Sequence, residues 1–391
     1  MAGTGRFDYL DGIRAVAILA VLAIHWFSWY VPLFHGGSVG VDVFFVLSGF
    51  IITTMLWRTP VTGSWPAAWG SFLRRRVLRL YPALLGLVVG GVLLYAVVPW
   101  APVGPAEVAQ RGGIVLGQTS ALWAADQHGS LWLPGLQPYG QAWSLAVEWY
   151  FYALWPVVVL GARARGWGAQ GLATACLVVA AAAYVLSLPL GAFWFYFGPS
   201  ARASELLVGA ALALWYAADG RPTRPRRHAT AAAVTALGAL ALYTLLGPDG
   251  HGLAYRYVGM PAAVVAAVVL IHTGYSNPEG PVQRLLGHPW LATLGRYSYS
   301  LYLWHIVPFL LLADAPGGLP KPLLGLVAVA AAVTLTVLSY RFLERPFLRP
   351  RGDVLSPAGR GAATSEAARA ASAGAPGATT AAEAPRAPTT P

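Results

Sequence analysis

The chain has 391 residues, 57% of them hydrophobic and only 10% charged, with a formal net charge of +11. A soluble domain is nearer a quarter charged, so this composition excludes an ordinary globular fold and points to a polytopic membrane protein. The basic excess does not imply a nucleic-acid partner, because the arginines cluster between apolar runs, as they do in cytoplasmic loops.

The first apolar run lies in RFDYLDGIRAVAILAVLAIHWF, residues 6–27. It is too long for a signal-peptide core and contains Arg14, so it reads as a retained span over about 10–31. Span 2, about 38–58, runs into Arg74, Arg75, Arg76 and Arg79, a cluster expected in a cytoplasmic loop. Span 3 follows at about 80–99. Segment 111–125 is too short to cross upright, and counting it as a span would put every later basic loop on the wrong side. Residues 100–142 are therefore expected outside, with span 4 at 143–161.

Spans 5 (168–188) and 6 (199–217) bring the basic stretch 220–228 inside. Spans 7 (229–246) and 8 (256–273) return to Arg284. Spans 9 (290–313) and 10 (322–343) end before Arg345, Arg349 and Arg351. The expectation is an all-α membrane domain over 1–349 with ten spans, both termini cytoplasmic. The Ala/Pro-rich tail 350–391 has no apolar periodicity and is expected to be disordered. The lone cysteine, Cys176, lies in an apolar run, so neither an intrachain disulfide nor a thiolate metal cluster is expected, and no metal.

Ionisable groups inside spans are costly and mark function. Arg14 and His25 are eleven residues apart, within about 20° of one another on a helix and about 16 Å apart along its axis. His25 lies roughly 22 Å from the cytoplasmic face, and Glu148 roughly 8 Å from the outer one. In a core about 30 Å thick those depths coincide, which suits an imidazole base oriented by a carboxylate. Asp42, Trp143, Arg202, Glu205 and His305 are expected to line the same outer-third site, although Asp42 or Glu205 could equally partner an arginine structurally. Ser48, mid-span, reads as a nucleophile or a helix-packing residue, and no neighbouring base is evident in sequence. The arginine cluster orients spans with no ligand needed. Its density also suits phosphates, hence a nucleotide-bearing donor with a long thin arm, such as acyl-coenzyme A.

The motifs RFDYLDGIRAVAILAVLAIH, GVDVFFVLSGFI, RRRVLRLYP, WSLAVEWYFYALWP, GRYSYSLYLWHIVP and FLERPF, in that order across 6–347, resemble the membrane-bound acyltransferase-3 family. The resemblance implies a ten-span O-acyltransferase of the plasma membrane using cytoplasmic acyl-coenzyme A, with acetyl the expected group. It maps the family's Arg-x10-His pair to Arg14 and His25, its Arg-x-x-Arg motif to Arg76 and Arg79, and its Ser-Gly-Phe turn to Ser48–Phe50. Arg75, Arg76, Arg79 and Ser48 are accordingly expected on the donor side. The implied acceptors are hydroxyls of glycans, lipid-linked sugars or macrolide-like compounds. Many relatives carry a hydrolase-like C-terminal domain, in whose place this sequence has only the tail, so a handover is expected to be absent or left to another protein. His25 is expected as general base and Glu148 as its orienting group. A covalent acyl-enzyme and a transporter or flippase using the same buried charges are the competing readings.

Overall fold

The computed structural model describes residues 5–28, 30–59, 64–126, 135–220, 228–313, 315–316 and 320–348, all helical or connecting helices. The tail 350–391, residues 127–134 of the expected outer loop and residues 221–227 of the expected basic loop lie outside the described residues. Among the described residues, eight stretches are long and apolar enough to cross a membrane. They belong to helices α1 (Gly5–Phe27), α2 (Val39–Arg58), α3 (Trp65–Val97), α6 (Trp143–Ala164), α7 (Ala169–Ser187), α10 (Ala229–Leu246), α11 (Met260–Ser276) and α15 (Lys321–Ser339). The chain is a polytopic, all-helical membrane protein. Two further helices, α9 (Pro199–Ala218) and α13 (Pro289–Trp304), stand where spans 6 and 9 were expected. The shorter elements are α4 (Pro105–Leu116), α5 (Ser120–Asp126), α8 (Ala192–Phe197), α12 (Pro281–Leu286) and α14 (Val307–Leu312).

Side-chain pairs set the register of the bundle. Phe45 meets Trp143, the Trp155 indole donates to Thr53 Oγ1 (2.7 Å), and Arg163 donates to the Leu56 carbonyl (3.1 Å). The spacing stays near one hundred residues throughout, so α2 and α6 run parallel. Asp42 meets Arg202, and glycines at 49 and 209 let α9 close onto α2 backbone to backbone. A side chain at either glycine would collide with the facing carbonyl. The Trp26 indole donates to the His305 carbonyl (2.9 Å), joining α1 to the end of α13.

Three expectations change. Helix α3 begins at Trp65, not near 80, and its 33 residues extend about 50 Å. The arginine cluster is therefore helical. Its members divide by face: Arg74 and Arg75 are exposed while Arg76 is buried. Segment 111–125 does not cross, but neither is it simply an outer loop. Gly112 packs on Val88 and the Leu116 carbonyl accepts from Tyr81, so α4 descends along α3 toward the arginine-bearing end. The chain turns at Gln118, whose φ of 57° lies in the left-handed region, and α5 returns. Such re-entrant backbone is tolerated at membrane depth when protein buries it, and Gln118 is buried. Span 9 is broken after Trp304. Pro308 has no N–H for the Trp304 carbonyl and its ring crowds that group, so the helix stops and α14 restarts at Val307.

Candidate active site

His25 ends the α1 face that begins at Arg14, and His305 sits at the break that Pro308 imposes. Their ring centroids are 4.9 Å apart, with His305 Nε2 3.2 Å from His25 Nδ1. His25 Nδ1 also lies 2.9 Å from the Val21 carbonyl, and His305 Nδ1 lies 2.8 Å from the Tyr302 carbonyl. A carbonyl only accepts, so both Nδ1 atoms carry the proton. His25 Nδ1–H then reaches both the carbonyl and His305 Nε2. Its own Nε2 is left as the basic nitrogen, the form a general base requires.

Beside the pair, the Tyr302 hydroxyl donates to the Gln141 carbonyl (2.9 Å) and lies 2.7 Å from Ser144 Oγ. The Gln141 amide donates to the Leu303 carbonyl (2.6 Å). These bonds pull residues 136–142 into the bundle, where Leu136, Tyr139, Gln141 and Ala142 are all buried. Around His25 lies a cavity of about 60 Å³, bordered by Gln141, Trp143, Tyr196, Tyr302, Asp249 and His251 among others.

Glu148 does not meet His25. Its Oε1 accepts from the Ser48 hydroxyl (2.5 Å) and its Oε2 from the Tyr152 hydroxyl (2.9 Å). Ser144 is at the level of Tyr302, one turn from His305, and Glu148 is one turn further in. Among the described residues no contact joins the two candidate groups. The coincidence of depths fails because the chain ahead of α6 dips inward, so α6 starts deep rather than at the surface. Glu148 instead borders a small second cavity of about 10 Å³ with Gln118, Tyr81, Tyr152 and Tyr299.

The arginines converge below this point. Arg76 and Arg79 share a face of α3, three residues apart. The Arg76 guanidinium lies over the Phe72 and Tyr152 rings at 5.2 and 5.3 Å. The charges of Arg79, Glu148 and Arg14 all act on it. Arg79 Nε is buried with no hydrogen-bond partner among the described residues. Arg14 Nη1 lies 3.3 Å from Asp11 Oδ1. Glu344 of the FLERPF motif accepts from Ser300 (2.9 Å) and feels Arg79 and Arg14. Arg75 points away and bonds Ser71, so the structure does not bring it to this cluster.

Asp42, Arg202 and Glu205 do not border the His25 cavity, contrary to expectation. All three are fully buried: Arg202 Nη1 reaches Asp42 Oδ1 at 2.7 Å, Glu205 Oε1 at 2.8 Å and the Tyr255 hydroxyl at 2.8 Å. The Arg202 guanidinium packs against Tyr196 (4.7 Å) and Trp143 (5.4 Å). These two rings do border the cavity, so the ion cluster acts as their support. Trp143 and His305 stand where expected.

Sequence reasoning missed Tyr302, Ser144, Tyr152, Gln118, Glu344 and the Asp249–His251 pair. The i,i+4 spacing of Glu148 and Tyr152 was a readable signal, as was Gly-Gln-Thr between two short apolar runs.

Residues 7–341 match the family model described as "Acyltransferase domain". The "Putative peptidoglycan O-acetyltransferase YrhL" of Bacillus subtilis is 30% identical over 372 residues, covering 88% of this chain and 55% of its own. The "Peptidoglycan O-acetyltransferase OatA" of Listeria monocytogenes is 30% identical over 365 residues, covering 86% of this chain and 55% of its own. The chain thus spans about half the length of these curated relatives. No solved structure matches it significantly. With the family match running from α1 through α15, the chain belongs to the acyltransferase-3 family.

Proposed function

We propose that the chain is a membrane O-acyltransferase that carries an acyl group, expected to be acetyl, from acyl-coenzyme A to a glycan hydroxyl. The observation carrying this reading is a series of polar side chains spaced through the bundle. It runs from Arg76 and Arg79, past Glu148 and Ser48, past Tyr302 and Ser144, to His25. Two inward arginines, one with a buried unpartnered Nε, suit the phosphates of the donor on the cytoplasmic side. The thin arm of coenzyme A would then lie among the side chains above them.

His25 Nε2 takes the proton of the acceptor hydroxyl as its oxygen attacks the thioester carbonyl carbon. The C–S bond breaks, the ester leaves with the acceptor, and the imidazolium returns its proton to the departing thiolate. His305 and the Val21 carbonyl hold the ring for this exchange. The relatives' names favour a glycan acceptor over a macrolide.

The test is purified protein in liposomes loaded with acetyl-coenzyme A and supplied outside with a soluble, uncharged glycan fragment. Thioester loss matched by ester formation is expected. Intact thioester, with the fragment or donor moved across, would establish a transporter instead.

A further inference from the structure

The loop between α10 and the π-helical turn Tyr255–Gly259 carries a hydrogen-bonded imidazole–carboxylate pair that the reaction above does not use. His251 Nδ1 lies 3.2 Å from Asp249 Oδ2, and the His251 backbone N–H donates to Asp249 Oδ1 (3.2 Å). Each carboxylate oxygen is held by one donor and keeps capacity for another. Asp249, Gly250 and His251 all border the cavity that holds His25.

The loop is anchored rather than free-standing. Gly250 lies against the Tyr196 ring so closely that a Cβ would not fit. The Phe34 N–H donates to the Leu245 carbonyl (2.9 Å), tying the end of α10 to the turn before α2. Burial pushes the His251 imidazole below its ordinary pKa, against the pull of Asp249, so Asp249 is not neutralised by a full positive charge at pH 7. The titratable groups bordering the cavity from other elements are His25 on α1, Tyr196 on α8 and Tyr302 on α13, and no Lys or Arg borders it among the described residues.

A fixed carboxylate beside aromatic faces and planar amides is the chemistry that holds a sugar ring: hydroxyls donate to the carboxylate, and C–H faces lie on the rings. An anionic acceptor would find no counter-charge here. We propose that Asp249 binds adjacent hydroxyls of an uncharged sugar acceptor, beside the hydroxyl presented to His25, with His251 as the positioning residue that aims the carboxylate. This rests on the acyltransferase reading for the identity of the cavity, but it concerns binding and is tested as binding.

The probes are a methyl pyranoside with two adjacent free hydroxyls, its single-deoxy analogue and its phosphorylated analogue. Their affinities for the full chain in nanodiscs are read by saturation-transfer NMR. The wild-type chain is expected to hold the diol about tenfold or more tighter than the deoxy sugar, and the phosphorylated sugar weakest. Asp249→Asn should abolish the preference for the diol. His251→Ala should reduce it, and His251→Gln, which still offers an N–H, should restore part of it. Equal discrimination in Asp249→Asn, or tighter binding of the phosphorylated sugar, overturns the proposal. Diol discrimination that depends on Asp249 without any thioester consumption would sustain the proposal and remove the acyltransferase reading. Thioester consumption without such discrimination would do the reverse.

Discussion

His305 Nε2 and His25 Nδ1 lie 3.2 Å apart, joining residues 280 positions distant in the chain into one imidazole pair. The pair replaces the carboxylate expected to orient the base. An imidazole acceptor fixes the tautomer as a carboxylate would, but without adding charge inside a membrane-spanning bundle. His25→Ala should therefore cut transfer by about 10²–10⁴-fold. His305→Ala should cost less, because the Val21 carbonyl still holds the same proton. The double variant should be hardly slower than His25→Ala alone, since the groups act as a unit. Initial rates of ester formation for the four proteins decide it, and losses that multiply would show separate roles.

The arginines of α3 should separate by face. Arg76→Ala and Arg79→Ala should each raise the apparent KM for acyl-coenzyme A about ten- to a hundredfold, the loss of one charge-assisted contact of about 1.5–3 kcal/mol. Arg76→Lys should recover only part, because the ammonium lacks the planar fork. Arg75→Ala should change KM less than about twofold, since Arg75 is exposed and donates to Ser71 on its own helix. Steady-state kinetics over donor concentration, with insertion checked by protease protection, separate these outcomes. A large effect at Arg75 would mean the donor lies along the outer surface of α3.

Much of this was legible from the sequence, and the failures share one cause. Apolar length placed the spans to within a few residues at α2, α9 and α10. Helical periodicity put Arg14 and His25 on one face. A count along a helix gives depth only if its starting depth is known, and no sequence signal says that residues 136–142 dip into the bundle. The count therefore placed Glu148 too near the outer face. Charge likewise marked Arg74–Arg79 as basic but not as helical. Azimuth is what separates Arg76 and Arg79 from Arg75, and it follows only once α3 is known to begin at Trp65. Asp42, Arg202 and Glu205 are buried, but none of them borders the His25 cavity. The buried ion pairs turn them away from the cavity, a partnership the sequence offered as one of two readings.

That ion cluster should govern stability more than catalysis. Removing one partner from a fully buried pair leaves an uncompensated charge and typically costs about 3–5 kcal/mol. Arg202→Met should therefore lower the unfolding temperature in detergent sharply, as should Asp42→Asn to a smaller degree. Combining Arg202→Met with Asp42→Asn and Glu205→Gln should recover part of the loss, because no charge is then stranded. A triple variant less stable than Arg202→Met would show that hydrogen bonding, rather than charge balance, holds α2 to α9.

The re-entrant turn gives the sharpest separation of fold from function. Gln118 adopts φ 57°, which a residue with a Cβ occupies at a cost of about 1–2 kcal/mol. The Gln118 carbonyl accepts from the Tyr150 hydroxyl (2.8 Å), and Tyr81 donates to the carbonyl of Leu116 (3.1 Å), so backbone bonds pin the turn whatever the side chain. Gln118→Gly keeps those bonds and removes the left-handed strain, so its unfolding temperature should equal or exceed that of the wild type. Gln118→Val should fall below it, because a β-branched residue fits this conformation worst. The amide also borders the small cavity beside Glu148, on the path proposed for the donor arm. If the donor arm follows that path, Gln118→Gly should raise the KM for acyl-coenzyme A despite its stability, with the KM for the acceptor unchanged. Thermal unfolding and two-substrate kinetics on the same preparations test both halves. A stable Gln118→Gly variant with unaltered donor KM would place the arm elsewhere in the bundle.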